Sequence, residues 1–336
     1  MKAMVLSAGL GTRLRPYTQV VPKPLFPICD VPVVGWALRS LVGAGVDRVI
    51  MNLHQLPAAI VRALGAGSAY GVEIEYSEEP VILGTGGGLS AVRAFFAGEA
   101  AWFVHNGDVF TDWDLSGAMS QHLQSGAVAT LLLTDPPDMP EARLVEIDSC
   151  GHVIGIRGRP TSREGARYVF SGISILGPGI FEVLPEGTAS CLIADGILPL
   201  IERGALVRGV VMPGRFCDVG TPGRFVALNA EWLPQIRTLF RARGLPCPTE
   251  PMPGIWSRDE ASRLEGANLF GPMLLGRNVV VEPGARIGPN VVLCSGSHVT
   301  SGAVVQDAVV FPGERVEGTQ SGIVLSLTAC DAPPGQ

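Results

Sequence analysis

A segment near the N-terminus holds two cations among small residues, in a spacing suited to binding a polyanion. A short β-type run ends in a loop with Gly9 and Gly11, which Arg13 follows, and Lys23 stands between two prolines ten residues later. Glycines leave backbone N–H groups open to an anion, and the two side chains add fixed positive charge. The chemistry predicted for this segment is the binding of a polyanion.

Two better-known glycine loops do not fit this segment. A dinucleotide fingerprint, G-x-G-x-x-G, would need glycine at position 14, which Leu14 occupies. The Walker A spacing is found nowhere in the chain. The loop is therefore neither a Rossmann dinucleotide site nor a P-loop.

The segment resembles the signature of the sugar-1-phosphate nucleotidyltransferases, roughly GxGTRLxPxTxxxPKP. The matching positions are Gly9, Gly11, Thr12, Arg13, Leu14, Pro16, Thr18, Pro22, Lys23 and Pro24. The resemblance implies an enzyme that converts an NTP and a sugar 1-phosphate into an NDP-sugar and pyrophosphate. It implies catalytic roles for Arg13 on the β,γ-phosphates and for Lys23 near the α- or sugar phosphate. It also implies nucleotide contacts from Leu6, Ala8, Gly9, Gly11 and Thr12.

Two aspartates match the metal positions of this family. Asp108 follows a strand in the run HNGD, and Asp218 lies in the run FCDVGTP. The resemblance implies that both hold Mg²⁺, the expected cofactor. Two protein carboxylates suffice, because Mg²⁺ usually keeps waters and takes phosphate oxygens as further ligands. Asp112 and Asp114 are predicted instead to cap the helix that begins near Leu115.

A second glycine-rich stretch, PVILGTGGG at residues 80–88, precedes a helix predicted to begin near Leu89. Glycines at a helix N-terminus favour anion binding or close packing against a flat ring. In the family the matching segment reads the nucleobase. The nucleotide-binding candidates here are Gly84, Thr85, Gly86 and Gly87.

The sugar side of the predicted site departs from the family pattern. The sugar-phosphate candidates are Asn106, Arg159, Ser171 and Gly172. Ser171 stands where relatives carry asparagine, and Arg159 replaces a lysine with a planar, bidentate cation. Arg143 replaces a glycine that admits the sugar in relatives. It either points away or selects a sugar with an anionic group.

Composition excludes several classes of function. A net charge of −6 argues against a broad nucleic-acid surface, and no apolar run approaches the roughly 18 residues of a membrane span. Seven cysteines are scattered without a C-x-x-C pair, and no signal-peptide pattern is found. We expect a cytoplasmic protein with reduced thiols and no structural metal.

Strand and helix patterns alternate along the first 215 or so residues. The strand candidates are 3–7, 48–53, 72–76, 102–105, 128–133 and 169–176, with an amphipathic helix predicted over 33–43. Alternation of this kind predicts an α/β fold, and the resemblance specifies a Rossmann-like mixed, mostly parallel sheet. Ligands then bind beyond the carboxyl ends of the strands. We expect a catalytic domain over 1–230 and a helix with a Pro-rich linker over 231–266.

A six-residue repeat begins at residue 269. Its aliphatic or aromatic positions are Leu269, Leu275, Val281, Ile287, Leu293, Val299, Val305 and Phe311. This period predicts a short hexapeptide parallel β-helix over 267–330, left-handed by resemblance, in which each of these residues points inward. Hexapeptide acyltransferases use a histidine base in a longer β-helix, so fewer than three coils argue against that role for His298. The open ends of a short β-helix favour a homo-oligomer.

The resemblance leaves three alternatives for the function. The glycine loop, the metal strand and the β-helix tail are most similar to mannose-1-phosphate guanylyltransferases, which favours GTP and mannose 1-phosphate. The runs TGGG and NGDVFTDWDL are also similar to N-acetylmuramate 1-phosphate uridylyltransferases, which in general lack the tail. A non-catalytic NDP-sugar-binding subunit is the third alternative.

Overall fold

The computed structural model describes residues 1–135, 144–156, 159 and 165–327. Arg143 and Cys330 lie outside these residues. The helices are α1 Val33–Gly43, α2 Pro57–Leu64, α3 Gly84–Ala91, α4 Ser116–Ser125, α5 Leu198–Glu202, α6 Pro222–Trp232 and α7 Ile236–Ala242. The strands up to residue 218 are β1 Lys2–Leu6, β2 Pro27–Ile28, β3 Val31–Pro32, β4 Arg48–Leu53, β5 Glu73–Glu78, β6 Trp102–Asn106, β7 Val109–Thr111, β8 Ala129–Thr134, β9 Leu144–Ile147, β10 Val153–Ile156, β11 Ala166–Leu176, β12 Val207–Val211 and β13 Phe216–Asp218.

The later strands are short. They are β14 Thr249–Met252, β15 Ile255–Ser257, β16 Asn268–Leu269, β17 Met273–Leu275, β18 Val280–Val281, β19 Arg286–Ile287, β20 Val291–Leu293, β21 His298–Val299, β22 Val304–Val310, β23 Arg315–Val316 and β24 Thr319–Val324.

The structure forms two compact units that interleave along the chain. The first, which we call the cavity unit, contains residues 1–10 and 34–218. The second, the β-helix unit, contains residues 11–33 and the described chain from Val219 onward. The segment with Arg13 and Lys23 thus belongs to the same unit as the β-helix. The boundaries at 230 and 266 stay a prediction about sequence domains.

A nine-stranded mixed sheet forms the centre of the cavity unit. Its order is β10-β9-β11-β6-β1-β4-β5, and β8 pairs with both β11 and β12. The central strands β6, β1, β4 and β5 are parallel, whereas β11 is antiparallel to β6, β8 and β9. Strand β1 is buried on both faces, which its apolar sequence KAMVL allows. The predicted mixed α/β sheet is confirmed.

The β-helix unit confirms the predicted repeat. Met273 pairs with Val291 and Asn268 with Arg286, so equivalent residues in successive coils lie 18 residues apart, or three hexapeptides. The inward residues Leu275, Val281, Ile287, Leu293, Val299 and Val305 form one buried cluster. Parallel pairing with this step is the architecture of a parallel β-helix.

The prediction for Phe311 is wrong, because the repeat shortens by one residue between Val305 and Val310. Leu293 pairs with Val310 and Val299 with Val316, a step of 17 residues. Val310 therefore takes the inward place that the period assigned to residue 311. Phe311 is still buried, but it packs edge-on against Phe26, outside the coil.

The helix predicted at the start of 231–266 is confirmed in part. Helix α6 already begins at Pro222 and ends at Trp232, and a 3₁₀ turn over Leu233–Gln235 separates it from α7. Pro234 lacks the N–H that a continuous helix would use, which accounts for the break. Among the described residues, no helix is long and apolar enough to cross a membrane.

Candidate functional site

A cavity of about 200 Å³ lies beside the last residues of β1 and β6 in the cavity unit. Seven residues predicted for the site line it: Leu6, Thr85, Asn106, Asp108, Ser171, Gly172 and Asp218. The other lining residues are Val104, Val109, Ile156, Phe170, Ser174, Cys191, Leu192 and Ile193. Residues far apart in sequence thus meet where the predicted strands end, as expected for an α/β fold.

Two of the lining residues are carboxylates held by a small antiparallel ribbon. Asp108 lies in the turn between β6 and β7, and Asp218 is the last residue of β13. Strands β7 and β13 pair so that Asp218 lies opposite Val109, next to Asp108 in sequence. Both aspartates are partly exposed. The ribbon thus brings two carboxylates that are 110 residues apart to one cavity wall.

The donor set fits an ion that takes few protein ligands. Among the residues that the structure describes, no group of three or more His, Cys, Asp or Glu side chains could hold a metal ion. Zinc and calcium sites draw on more protein ligands than two, whereas Mg²⁺ is bound through one or two carboxylates plus water and phosphate oxygens. Asp108 and Asp218 are therefore the residues that could hold Mg²⁺.

The sugar-side residues pack closely around one amide. Gly172 has a φ of +85°, and a Cβ atom added to it would lie 2.4 Å from Asn106 Nδ2. Ser171 Oγ donates to the Leu132 carbonyl at 2.8 Å and accepts from Ile173 N at 3.1 Å. The glycine thus admits the Asn106 side chain, while the Ser171 hydroxyl fixes an irregularity in the pairing of β11 with β8.

The glycine run is helical, which corrects the prediction that a helix starts near Leu89. Helix α3 begins at Gly84. The N–H groups of Gly86 and Gly87 donate to the Ser190 carbonyl at 2.9 and 3.3 Å, and a Cβ on Gly87 would lie 2.6 Å from Thr188 O. Glycine is a poor helix former, but here the close approach of another backbone requires it.

The segment that approaches α3 supplies lining residues that the sequence did not predict. Thr85 Oγ1 accepts from Leu192 N at 2.9 Å, and Cys191, Leu192 and Ile193 line the cavity. The only signal available in the sequence was the glycine run itself, which indicates a close neighbour without identifying it.

A buried polar chain connects the two glycine loops and was also missed. Asn52 Oδ1 accepts from Ser7 N at 2.9 Å, and its Nδ2 donates to Glu79 Oε1 at 2.8 Å. Glu79 Oε2 accepts from Leu83 N, the residue before α3, at 2.9 Å. Ser7, Asn52 and Glu79 are each at most 5% exposed. These bonds fix the end of β1 relative to the start of α3.

The two aspartates after β7 have different roles. Asp114 Oδ1 accepts from Ser116 N at 3.0 Å at the start of α4, which agrees with the predicted cap. Asp112 Oδ1 instead accepts from Arg215 N at 2.7 Å, so its predicted capping role is wrong. Asp112 lies just after β7 at the end of the ribbon, so its carboxylate bonds to the residue before β13 rather than to α4, which begins four residues later.

The remaining predicted residues do not line the cavity. Ala8, Gly9, Gly84, Gly86 and Gly87 belong to the cavity unit, and Arg159 forms a two-way backbone pair with Ile156, which does line the cavity. Gly11, Thr12, Arg13 and Lys23 belong to the β-helix unit. Arg13 is exposed, whereas Lys23 is buried in a 3₁₀ turn. The prediction for Arg143 falls outside the described residues.

The chain is similar to known proteins along most of its length. Residues 2–234 match the sequence pattern of the family described as "Nucleotidyl transferase". The chain is 36% identical to N-acetylmuramate alpha-1-phosphate uridylyltransferase of Neisseria meningitidis serogroup B, over 69% of this chain and 100% of that protein. It is 29% identical to mannose-1-phosphate guanylyltransferase of Mycobacterium tuberculosis, over 90% of this chain and 82% of that protein.

Two further similarities concern the tail and the fold. UTP–glucose-1-phosphate uridylyltransferase of Synechocystis sp. is 28% identical over 94% of this chain and 86% of that protein. The structure of HddC from Yersinia pseudotuberculosis superposes with a TM-score of 0.57 at 23% identity, over 69% of this chain and 99% of that one. The chain therefore belongs to the nucleotidyl transferase family, and the predicted class of sugar-1-phosphate nucleotidyltransferases is confirmed.

Proposed function

We propose that nucleotidyl transfer occurs at the cavity, with Asp108 and Asp218 holding Mg²⁺ and Asn106 and Gly172 contacting the sugar phosphate. One observation carries this proposal: both carboxylates line the same cavity as the predicted sugar-side residues. The reaction would be attack by a sugar-phosphate oxygen on the α-phosphorus of the NTP, with pyrophosphate as the leaving group.

The protein's part in such a reaction is positioning and charge. Phosphoryl transfer needs little covalent help, so rate enhancement comes from alignment and from offsetting negative charge. Arg13 would neutralise the leaving pyrophosphate, and Lys23 would act on the α- or sugar phosphate. Asp108 and Asp218 would hold Mg²⁺, which would offset negative charge on the reacting phosphates. The backbone of the glycine loops would hold the nucleotide.

The first candidate substrates are GTP and mannose 1-phosphate. The similarity to the M. tuberculosis guanylyltransferase over 90% of this chain supports them. The β-helix tail, however, does not select a base, because the relative named for UTP and glucose 1-phosphate matches 94% of this chain.

The second candidate pair is UTP and N-acetylmuramate 1-phosphate. The observation in its favour is the 36% identity to the N. meningitidis uridylyltransferase, which is matched over its full length. That sugar carries an additional carboxylate, which a cation at Arg143 could select. A homo-oligomer stays a prediction with either pair.

Pyrophosphate release in the presence of Mg²⁺ tests the proposal. GTP, UTP, dTTP, ATP and CTP are each combined with the 1-phosphates of mannose, glucose, heptose and N-acetylmuramate. Turnover with GTP and mannose 1-phosphate supports the first pair, and turnover with UTP and N-acetylmuramate 1-phosphate supports the second. No turnover with any pair, together with tight binding of an NDP-sugar, would contradict the proposal and indicate a regulatory subunit.

A further inference from the structure

The β-helix unit contains a buried carboxylate that the proposed reaction does not use. The Asp30 side chain is 1% exposed and pairs with Arg258, whose Nη1 donates to Asp30 Oδ2 at 2.7 Å. Ser295 donates twice to the same side chain, from N to Oδ1 and from Oγ to Oδ2, each at 2.7 Å. A buried carboxylate with a guanidinium and two further donors is well compensated for its lost hydration.

These bonds join three distant parts of the chain. Asp30 lies in the segment 11–33, Arg258 follows strand β15, and Ser295 follows strand β20 of the β-helix. Arg258 Nη1 also donates to the Asp30 carbonyl at 2.9 Å. The β-helix and the strand before it thus hold both the side chain and the backbone of one residue in the segment.

The turn that presents Asp30 has an uncommon backbone conformation. Cys29 and Asp30 connect β2 to β3 with φ values of 50° and 63°. Residues other than glycine adopt this left-handed region rarely, so surrounding contacts must hold the turn. Asn229 supplies two of these contacts, since its Oδ1 accepts from Cys29 N at 2.8 Å and its Nδ2 donates to the Pro27 carbonyl at 3.2 Å.

An aromatic cluster extends the same attachment toward Lys23. The rings of Phe26, Phe225 and Phe311 are in mutual contact, with centroid distances of 5.2 to 5.9 Å. Phe311 reaches Phe26 because the one-residue shortening between Val305 and Val310 places it outside the buried cluster of the β-helix. Phe26 closes the 3₁₀ turn that begins at Lys23, since its N–H donates to the Lys23 carbonyl at 3.0 Å.

The segment itself has little regular structure to hold its shape. Between residues 11 and 33 it forms three single 3₁₀ turns and two strands of two residues each. Such short elements do not persist alone, so the conformation depends on what the segment packs against. Within its own unit those partners are α6, the strand before the β-helix, and the β-helix.

We propose that the C-terminal β-helix positions the cation-bearing segment for catalysis, and that Asp30 is the positioning residue through which it acts. The inference rests on the proposed function, because it assumes that Arg13 and Lys23 contact the phosphates. The tail is then more than a passive appendage. It sets the conformation of a catalytic loop through Asp30, Arg258 and Phe311.

The test compares Asp30→Asn with Asp259→Asn in the full chain. Asp259 is a matched control, because its carboxylate binds Asn278 N at 2.7 Å and Ser262 Oγ at 3.0 Å, all within the same C-terminal region. Kinetic constants are measured per folded protein, with the substrate pair that the wild type turns over. Backbone hydrogen exchange is measured for residues 11–25 and for the β-helix.

Asp30→Asn is expected to lower kcat/KM by about ten- to a hundredfold, as small misplacements of catalytic groups do. It should also speed exchange over 11–25 relative to the β-helix. Asp259→Asn should change neither. A folded Asp30→Asn protein with wild-type kinetics and unchanged exchange over 11–25 would overturn the proposal.

Two further results keep the test decisive. If Asp30→Asn fails to fold, Ser295→Ala is used, because it removes the hydroxyl that donates to Asp30 and leaves the donor Ser295 N in place. A fall in kcat/KM together with faster exchange over 11–25 supports the proposal. Wild-type kcat/KM with unchanged exchange overturns it. If the wild type turns over no substrate pair, the proposed function fails. Exchange over 11–25 then still tests whether Asp30 holds the segment.

Discussion

The two units use buried and exposed carboxylates in opposite ways. In the cavity unit, Asp108 and Asp218 are partly exposed and face a cavity. In the β-helix unit, Asp30 is buried and saturated by Arg258 and Ser295. A partly exposed carboxylate that faces a cavity is accessible to a cation or substrate, whereas a buried one that is bonded to a guanidinium and a hydroxyl holds parts of the chain together. The burial of an aspartate and its bonded partners thus distinguish a side chain available to a ligand from one that fixes the fold.

The largest expected effect is that of Asp218→Asn. Loss of one of the two carboxylates should lower kcat by on the order of 10² to 10³, because the metal and the charge it offsets are lost together. Stability should change little, since Asp218 is partly exposed. Pyrophosphate release measures the rate and thermal unfolding the stability, with Asp114→Asn as the control at a helix start. Turnover near wild type in Asp218→Asn would contradict the metal assignment.

Lys23→Ala should have the next largest effect, a loss in kcat of on the order of 10² or more, as removal of one preorganised charge donor causes. The chain offers a matched control, since Lys2 is its one other lysine and binds the Phe95 carbonyl at 2.7 Å. Lys2→Ala should leave kcat unchanged. Steady-state kinetics measure kcat for both variants. An equal loss of kcat in the two variants would show that Lys23 has no specific catalytic role.

Gly172→Ala tests the cavity wall alone. The backbone of Gly172 has a φ of +85°, and an added Cβ atom would lie only 2.4 Å from Asn106 Nδ2. The substitution should therefore reduce the free energy of unfolding by about 1–3 kcal/mol and raise the KM for the sugar phosphate. Gly117→Ala in α4 is the control, because its Cβ would meet nothing within 4 Å. Denaturant unfolding and KM measurements check both. A Gly172→Ala protein as stable as Gly117→Ala would show that the wall is not tightly packed.

The smallest expected effect is a difference in acid sensitivity between the units. Burial lowers the pKa of His122 in α4 from its usual 6.5. Its contribution to stability is complete above 6.5 and is lost as pH falls toward the lower folded-state pKa. In the β-helix, hydrogen bonds from Ser301 N and His298 lower the pKa of Glu282 from 4.5, so that contribution is lost only below 4.5.

Hydrogen exchange at pH 7.5 and pH 5.5 measures this difference. We expect faster exchange at pH 5.5 around α4, after correction for the intrinsic pH dependence, with the β-helix unchanged. His122→Gln should remove the difference, whereas His298→Gln should not. An equal change in exchange between pH 7.5 and pH 5.5 around α4 and in the β-helix of the wild type would rule out His122 as the acid-sensitive group.

The sequence predicted what depends on local pattern. Six of the nine strands of the central sheet, helix α1 and the 18-residue coil follow from apolar periodicity, and the motif residues from their spacing; strands β9, β10 and β12 were not predicted. It failed where tertiary contacts decide. The helix at Gly84 needs the backbone of Ser190 beside it, Asp112 prefers Arg215 N to a helix cap, and the cavity wall at Cys191 carries no motif.

The turn at Asp30 also depends on tertiary contacts that the sequence did not predict. Nothing in the sequence near Asp30 indicates that Arg258 and Ser295, more than 200 residues away, complete its hydrogen bonds. The period of six likewise predicted that Phe311 points inward. Position 311 is apolar and fits the six-residue spacing, so the sequence does not reveal that the coil is one residue shorter there.

The attachment of the segment to the β-helix has a thermodynamic consequence. Coupling free energy between two sites is reciprocal. If the β-helix favours one conformation of the segment that binds phosphate, a nucleotide bound there must stabilise the β-helix by the same amount. The tail should therefore report on ligand occupancy at a distance, through a melting transition that rises with nucleotide concentration.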